Sequence, residues 1–140
     1  MASPTEEAWQ PLLDGLERLR EAWLGTGWSW DPRFKCVTSS FDKEIADRAR
    51  AAMAGVLDGE WSPDSINQAA DEIRTLAARF GGVRPGQLLF TGEVVGGRMH
   101  LFALWWPWGD GATISLRVGV ANCDRPTELY PQVRALFKIA

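Results

Sequence analysis

Hydrophobic residues recur at three- and four-residue intervals through roughly the first eighty positions and at two-residue intervals after Pro85, so the chain reads as a helical part followed by a sheet part. Near 4–24 the set Trp9, Leu12, Leu13, Leu16, Leu19, Trp23 and Leu24 marks one buried helix face. Ser3-Pro4-Thr5-Glu6 opens that helix as a capping box, and Gly25-Thr26-Gly27 closes it. Pro11 predicts a kink or a helix start, because an interior proline removes a backbone donor. Phe41, Ile45, Ala49, Ala52, Met53 and Val56 predict a second helix near 41–57. Ile66, Ala69, Ala70, Ile73, Leu76, Ala77 and Phe80 predict a third near 63–80, stopped by Gly81-Gly82. The alanines of these two helices permit close approach, so the expectation is an antiparallel pair. A last helix near 126–138 carries Leu129, Val133, Leu136 and Phe137.

Alternation predicts strands near 33–38, 87–94, 98–106 and 113–121. Gly96-Gly97 joins the second and third of these as a tight turn with positive φ, and Pro107-Trp108-Gly109-Asp110-Gly111 joins the third and fourth. The strand 113–121 has one apolar face, Ile114, Leu116, Val118 and Val120. The strand 98–106 differs, because Met99, Leu101, Ala103 and Trp105 alternate with His100, Phe102, Leu104 and Trp106. Both of its faces need covering, by the chain's own helices, a ligand or a second copy, and a homodimer through that face is one expectation. The resulting fold class is α+β: one domain over 1–140, a two-layer arrangement of a three- to four-stranded antiparallel sheet and about four helices.

Composition adds limits. With 46% hydrophobic and 24% charged residues the chain has the make-up of an ordinary globular domain. A formal net charge of −3 removes the general attraction to phosphate backbones, so nucleic acid is not an expected partner. No apolar run approaches the ~18 residues of a membrane span and no basic segment precedes one, so the expectation is a cytoplasmic protein away from membranes. Cys36 and Cys123 have no metal-type spacing and read as two small hydrophobes rather than a bridge.

The catalytic inventory is thin. His100 is the one histidine, set among apolar neighbours, and the helical acids read as solvated faces. The glycine-bearing stretches lack the Lys-Ser/Thr of a phosphate loop. No catalytic residue, metal ligand or cofactor is assigned. What stands out is tryptophan, eight residues in all, with Trp105, Trp106 and Trp108 clustered at a hairpin end and Trp28, Trp30 and Trp61 outside the helices. Such rings anchor protein interfaces. The expected function is a protein-binding domain of the immunity, inhibitor or chaperone kind, with Trp30, Trp106 and Trp108 as anchors and Asp110, Glu93 and Arg117 at the rim. The alternative is a small-molecule-binding domain or enzyme with an aromatic pocket between helices and sheet, using His100, Glu93 or Asp110 as its polar group.

Overall fold

Strand β5 (His100–Pro107) sets the architecture, because its alternation puts Leu101, Ala103 and Trp105 on one face and His100, Phe102 and Leu104 on the other, and all six are buried. The computed structural model describes residues 4–23, 27–95 and 97–139, with side chains from residue 9 onward in the first helix. Around β5 lies a six-stranded, fully antiparallel sheet of β1 (Ser29–Asp31), β2 (Cys36–Asp42), β3 (Gly59–Trp61), β4 (Leu88–Thr91), β5 and β6 (Thr113–Ala121). The spatial order is β1-β2-β6-β5-β4-β3. Four helices complete the chain: α1 (Pro4–Ala22), α2 (Ala46–Ala54), α3 (Asp71–Arg79) and α4 (Pro126–Leu136).

The first face is covered by α1 through Leu12, Leu16 and Leu19, by α2 through Ala49 and Met53, and by α4 through Leu129 and Val133. Gly15 lets α1 come close, since a Cβ there would stand 2.9 Å from Leu101 Cδ1. The second face is covered over β4 and β5 by α3, whose Leu76 and Ala77 join Cys36, Leu89, Phe102 and Leu104 in a separate core. Toward β2 and β6 the same face turns polar, with the pairs Thr38–Arg117 and Ser40–Ser115 in register.

The α+β class and the four helices are as expected, and several finer expectations are corrected. The sheet has six strands rather than three or four, and helices flank both faces rather than one. The strand placed near 33–38 is a turn at 32–35 leading into β2, with β1 ahead of it. The stretch 41–57 is not one helix: β2 runs to Asp42, whose carboxylate accepts the Glu44 N–H, and a 3-10 turn at Lys43–Ile45 precedes α2. The stretch 63–80 is likewise broken, since the Ser65 hydroxyl accepts the Ser62 N–H and a 3-10 turn spans Ile66–Gln68 before α3 starts at Asp71. Short hydroxyl side chains compete in this way with helix formation. The helical periodicity survives the break because Ile66, Ile73, Leu76 and Phe80 all pack into the second core.

The predicted α2–α3 pair does not form either. The residues between them return to the sheet as β3, which sends α2 and α3 to opposite faces. Only glycine fits at position 59, because a Cβ there would lie 2.4 Å from the Thr91 hydroxyl, which accepts the Trp61 indole N–H at 3.0 Å. Helix α1 runs continuously through Pro11, which is exposed. Ser3 of the capping box, the stop at Gly25-Thr26 and Gly96 of the hairpin lie outside the described residues. Within that hairpin Val95 bridges Met99 and Gly97 takes φ +89°. Both cysteines are free, and no helix among the described residues is long and apolar enough to cross a membrane.

Gly119 is a second tight point of this face, because an added Cβ would sit 2.9 Å from both Cys36 Cβ and Phe102 Cζ. Gly119→Ala is expected to destabilise by about 1–3 kcal/mol through overpacking. Gly27→Ala, which meets nothing within 4 Å, should leave the urea midpoint almost unmoved.

Candidate functional site

The seven residues singled out in the sequence fall in five places. Trp108 and Asp110 share the loop between β5 and β6. Trp106 and Arg117 share the polar part of the second face. Trp30 lies on edge strand β1 beside Tyr130 of α4, with ring centroids 5.5 Å apart. Glu93 is exposed at the end of a cavity of about 150 Å³ on the first face, near Arg18, Leu12 and Leu101. His100 is buried on the opposite face, so these two do not converge. The His100 Nδ1–H donates to the Leu101 carbonyl at 3.1 Å, and burial pulls its pKa below the ordinary value, which keeps the ring neutral. It is a satisfied core residue.

The β5–β6 loop is built by Asp110. Its carboxylate accepts the Ala112 N–H, the Thr113 N–H and the Thr113 hydroxyl, each at 2.9 Å. These bonds hold it below the usual carboxylate range, the Ala112 N–H most of all. Trp108 N–H extends the ladder to the Thr113 carbonyl at 2.8 Å, and Gly111 takes the positive φ of +70° that closes the turn. Lys43 N–H donates to the Ala112 carbonyl at 2.7 Å, tying the β2–α2 corner to the loop. The backbone under Trp108 is therefore fixed on both sides.

Above that backbone the Trp108 ring is 53% exposed, and with Val94 it is one of two large hydrophobic side chains so exposed among the described residues. Beside it lies a cavity of about 290 Å³ walled by Trp105, Pro107, Ile114 and Ala46, with Lys43 at its margin. A second cavity of about 330 Å³ shares Ala46, Gly86 and Trp105 with the first and runs on past Asp47, Arg50, Pro63 and Leu88, away from Lys43. Together they form a groove with an apolar floor along the edge of α2. Sequence reading found Trp108 but missed Lys43, Ala46 and Gly86, which reach the groove from segments remote in the chain.

Trp106 has a different fate. The Arg117 guanidinium lies 4.8 Å from its ring centroid and 5.8 Å from that of Phe34. Arg117 Nε donates to Asp31 at 3.0 Å and Nη1 to the Ser115 hydroxyl at 2.7 Å. Trp106 thus holds an internal cation. Asp31 also accepts the N–H groups of Arg33 and Phe34, which fixes the β1–β2 turn. Burial alone would raise the Asp31 carboxyl, but the bonds from Arg117 and from those two amides outweigh it and leave the group below its ordinary value.

No protein-family model matches the chain, and no curated protein or solved structure matches it significantly.

The Arg117–Asp31 pair predicts a pH-dependent contribution to stability. A carboxyl whose folded pKa is lowered stabilises the fold above its ordinary value, here 3.8, and loses that contribution as pH falls through the lowered folded value. Asp31→Asn is expected to cost about 1–3 kcal/mol at neutral pH. Urea titrations of both proteins should show the full difference at neutral pH, shrinking once the pH drops below 3.8.

Proposed function

We propose that the protein is a binding module that docks an extended segment of another protein in the groove beside Trp108. The observation that carries this reading is the half-exposed indole on a hydrogen-bonded loop next to an apolar cavity. An aromatic side chain offers about 150–250 Å² of surface, so covering the exposed half of Trp108 contributes about 2–3 kcal/mol. The loop is already ordered by Asp110, so little conformational entropy opposes docking. Lys43 makes no ion pair among the described residues, which favours a partner segment combining an apolar side chain with a carboxylate. The charge and size suit an immunity, inhibitor or dedicated chaperone protein, and two free cysteines suit a reducing cytoplasm.

Selection from a random peptide library displayed on phage tests the reading, followed by affinity measurement on synthetic peptides. The expected ligands pair an aromatic or aliphatic residue with an acidic one. Trp108→Ala should weaken them at least about 30-fold, the loss typical of an interface hot spot, with the thermal midpoint unchanged. Peptides that bind Trp108→Ala and Lys43→Glu as tightly as wild type would overturn the proposal.

A further inference from the structure

The opposite end of the β5–β6 ladder carries a second surface with different chemistry. The turn between β1 and β2 folds over the second face because Asp31 caps it, and the Lys35 N–H donates to the Asp31 carbonyl at 2.8 Å. Lys35 takes φ +56°, a left-handed conformation that disfavours residues with a Cβ. This geometry pins Phe34 against Phe80 of α3, with ring centroids 5.3 Å apart, and sets Arg33 and Lys35 to its sides. Arg79 from the last turn of α3 and Tyr130 from α4 complete the wall.

The result is a cavity of about 300 Å³ with three cations at its margin, a phenylalanine floor and no carboxylate in its lining. Arg33, Lys35 and Arg79 make no ion pair among the described residues, whereas the four ion pairs that do form lie elsewhere. Three cations without an ion-pair partner among the described residues, two from the β1–β2 turn and one from α3, are unusual in a chain of net charge −3, since like charges gathered without a counter-ion repel. Sharing Lys35 and Tyr130 with this cavity is another of about 410 Å³, formed by Trp30, Pro131, Thr127 and Arg134. Its lining is mainly apolar through Trp30, Pro126, Tyr130 and Pro131, with the Arg134 guanidinium 5.5 Å from the Trp30 ring centroid.

We infer that the paired cavities bind an aromatic monophosphate, with the phosphate among Arg33, Lys35 and Arg79 and the ring against Trp30, Tyr130 and Pro131. A phosphate monoester carries about −1.5 to −2 charges at neutral pH, which answers three cations better than a single carboxylate does. Arginine forks pair with phosphate oxygens in parallel, and the lysine supplies a mobile point charge. Burial pushes the Tyr130 hydroxyl up, so it stays protonated and can donate. A longer polyanion is disfavoured, because beyond the recess the chain's balance is acidic. The shared chemistry, a phosphate monoester joined to an aromatic ring, belongs both to a free mononucleotide, where a ribose stands between them, and to a phosphotyrosyl side chain, where the join is direct.

Calorimetric titration of the full chain separates the outcomes, using inorganic phosphate, phenyl phosphate, adenosine monophosphate and a phosphotyrosyl peptide as probes. Phenyl phosphate is expected to bind about tenfold more tightly than inorganic phosphate, the added affinity coming from ring stacking. Whichever of the two larger probes binds better identifies the source. Arg33→Glu and Arg79→Glu should each weaken binding at least about tenfold. Lys35→Gly removes the ammonium while relieving the left-handed backbone, so it should lose affinity with an equal or higher thermal midpoint. Trp108→Ala should bind the three small probes, inorganic phosphate, phenyl phosphate and adenosine monophosphate, as wild type does, which separates this site from the peptide groove. Equal affinity for inorganic and phenyl phosphate, no heat with any probe, or full affinity in Arg79→Glu would overturn the inference.

Discussion

Strand β5 has no face to give to water. Leu101 and Trp105 on one side and Phe102 and Leu104 on the other are each buried, and each such side chain is worth about 1.5–3 kcal/mol out of water. Uncovering either side would cost an amount comparable to the whole net stability of a domain, about 5–15 kcal/mol. The chain must therefore place helices on both sides of one sheet. It does so by returning to the sheet edge as β3 between α2 and α3, and that single short strand is what carries the polypeptide from the first face to the second.

The polar remainder of the second face is organised around one guanidinium. Arg117 reaches Asp31 and Ser115 and stacks on Trp106, and Asp31 in turn sets the β1–β2 turn. At the other end of the ladder a second aspartate, Asp110, sets the loop that presents Trp108. The two surfaces proposed for binding thus rest on the same device, a carboxylate that accepts several local N–H groups and freezes a loop. In one case the frozen loop exposes an indole. In the other it gathers cations.

Much of this was legible where the pattern is long and unmixed. The strand at 113–121 appears with those bounds because Ile114, Leu116, Val118 and Val120 alternate without interruption. β2 was misplaced because its second face is Thr38 and Ser40, polar residues that resemble a cap rather than a strand. β3 has three residues, too few for a period, and shows itself only through pairing with Leu89 and Thr91. Trp108 and the turn role of Asp110 could be read directly, since loop tryptophans and Gly-Asp-Gly carry their own signal. Lys43, Gly86, Arg79 and Tyr130 could not, because nothing in a local window says that distant residues will meet.

The two outermost strands of the sheet, β1 and β3, have three residues each. A strand so short offers at most one or two free backbone groups along its rim, and on the β3 side Arg50 pairs with Glu60 to place charge there as well. Long bare edges are what let foreign chains add themselves to a sheet and grow into fibrils. Here that route is closed at both margins, and a high concentration of the folded protein should not nucleate cross-β assembly.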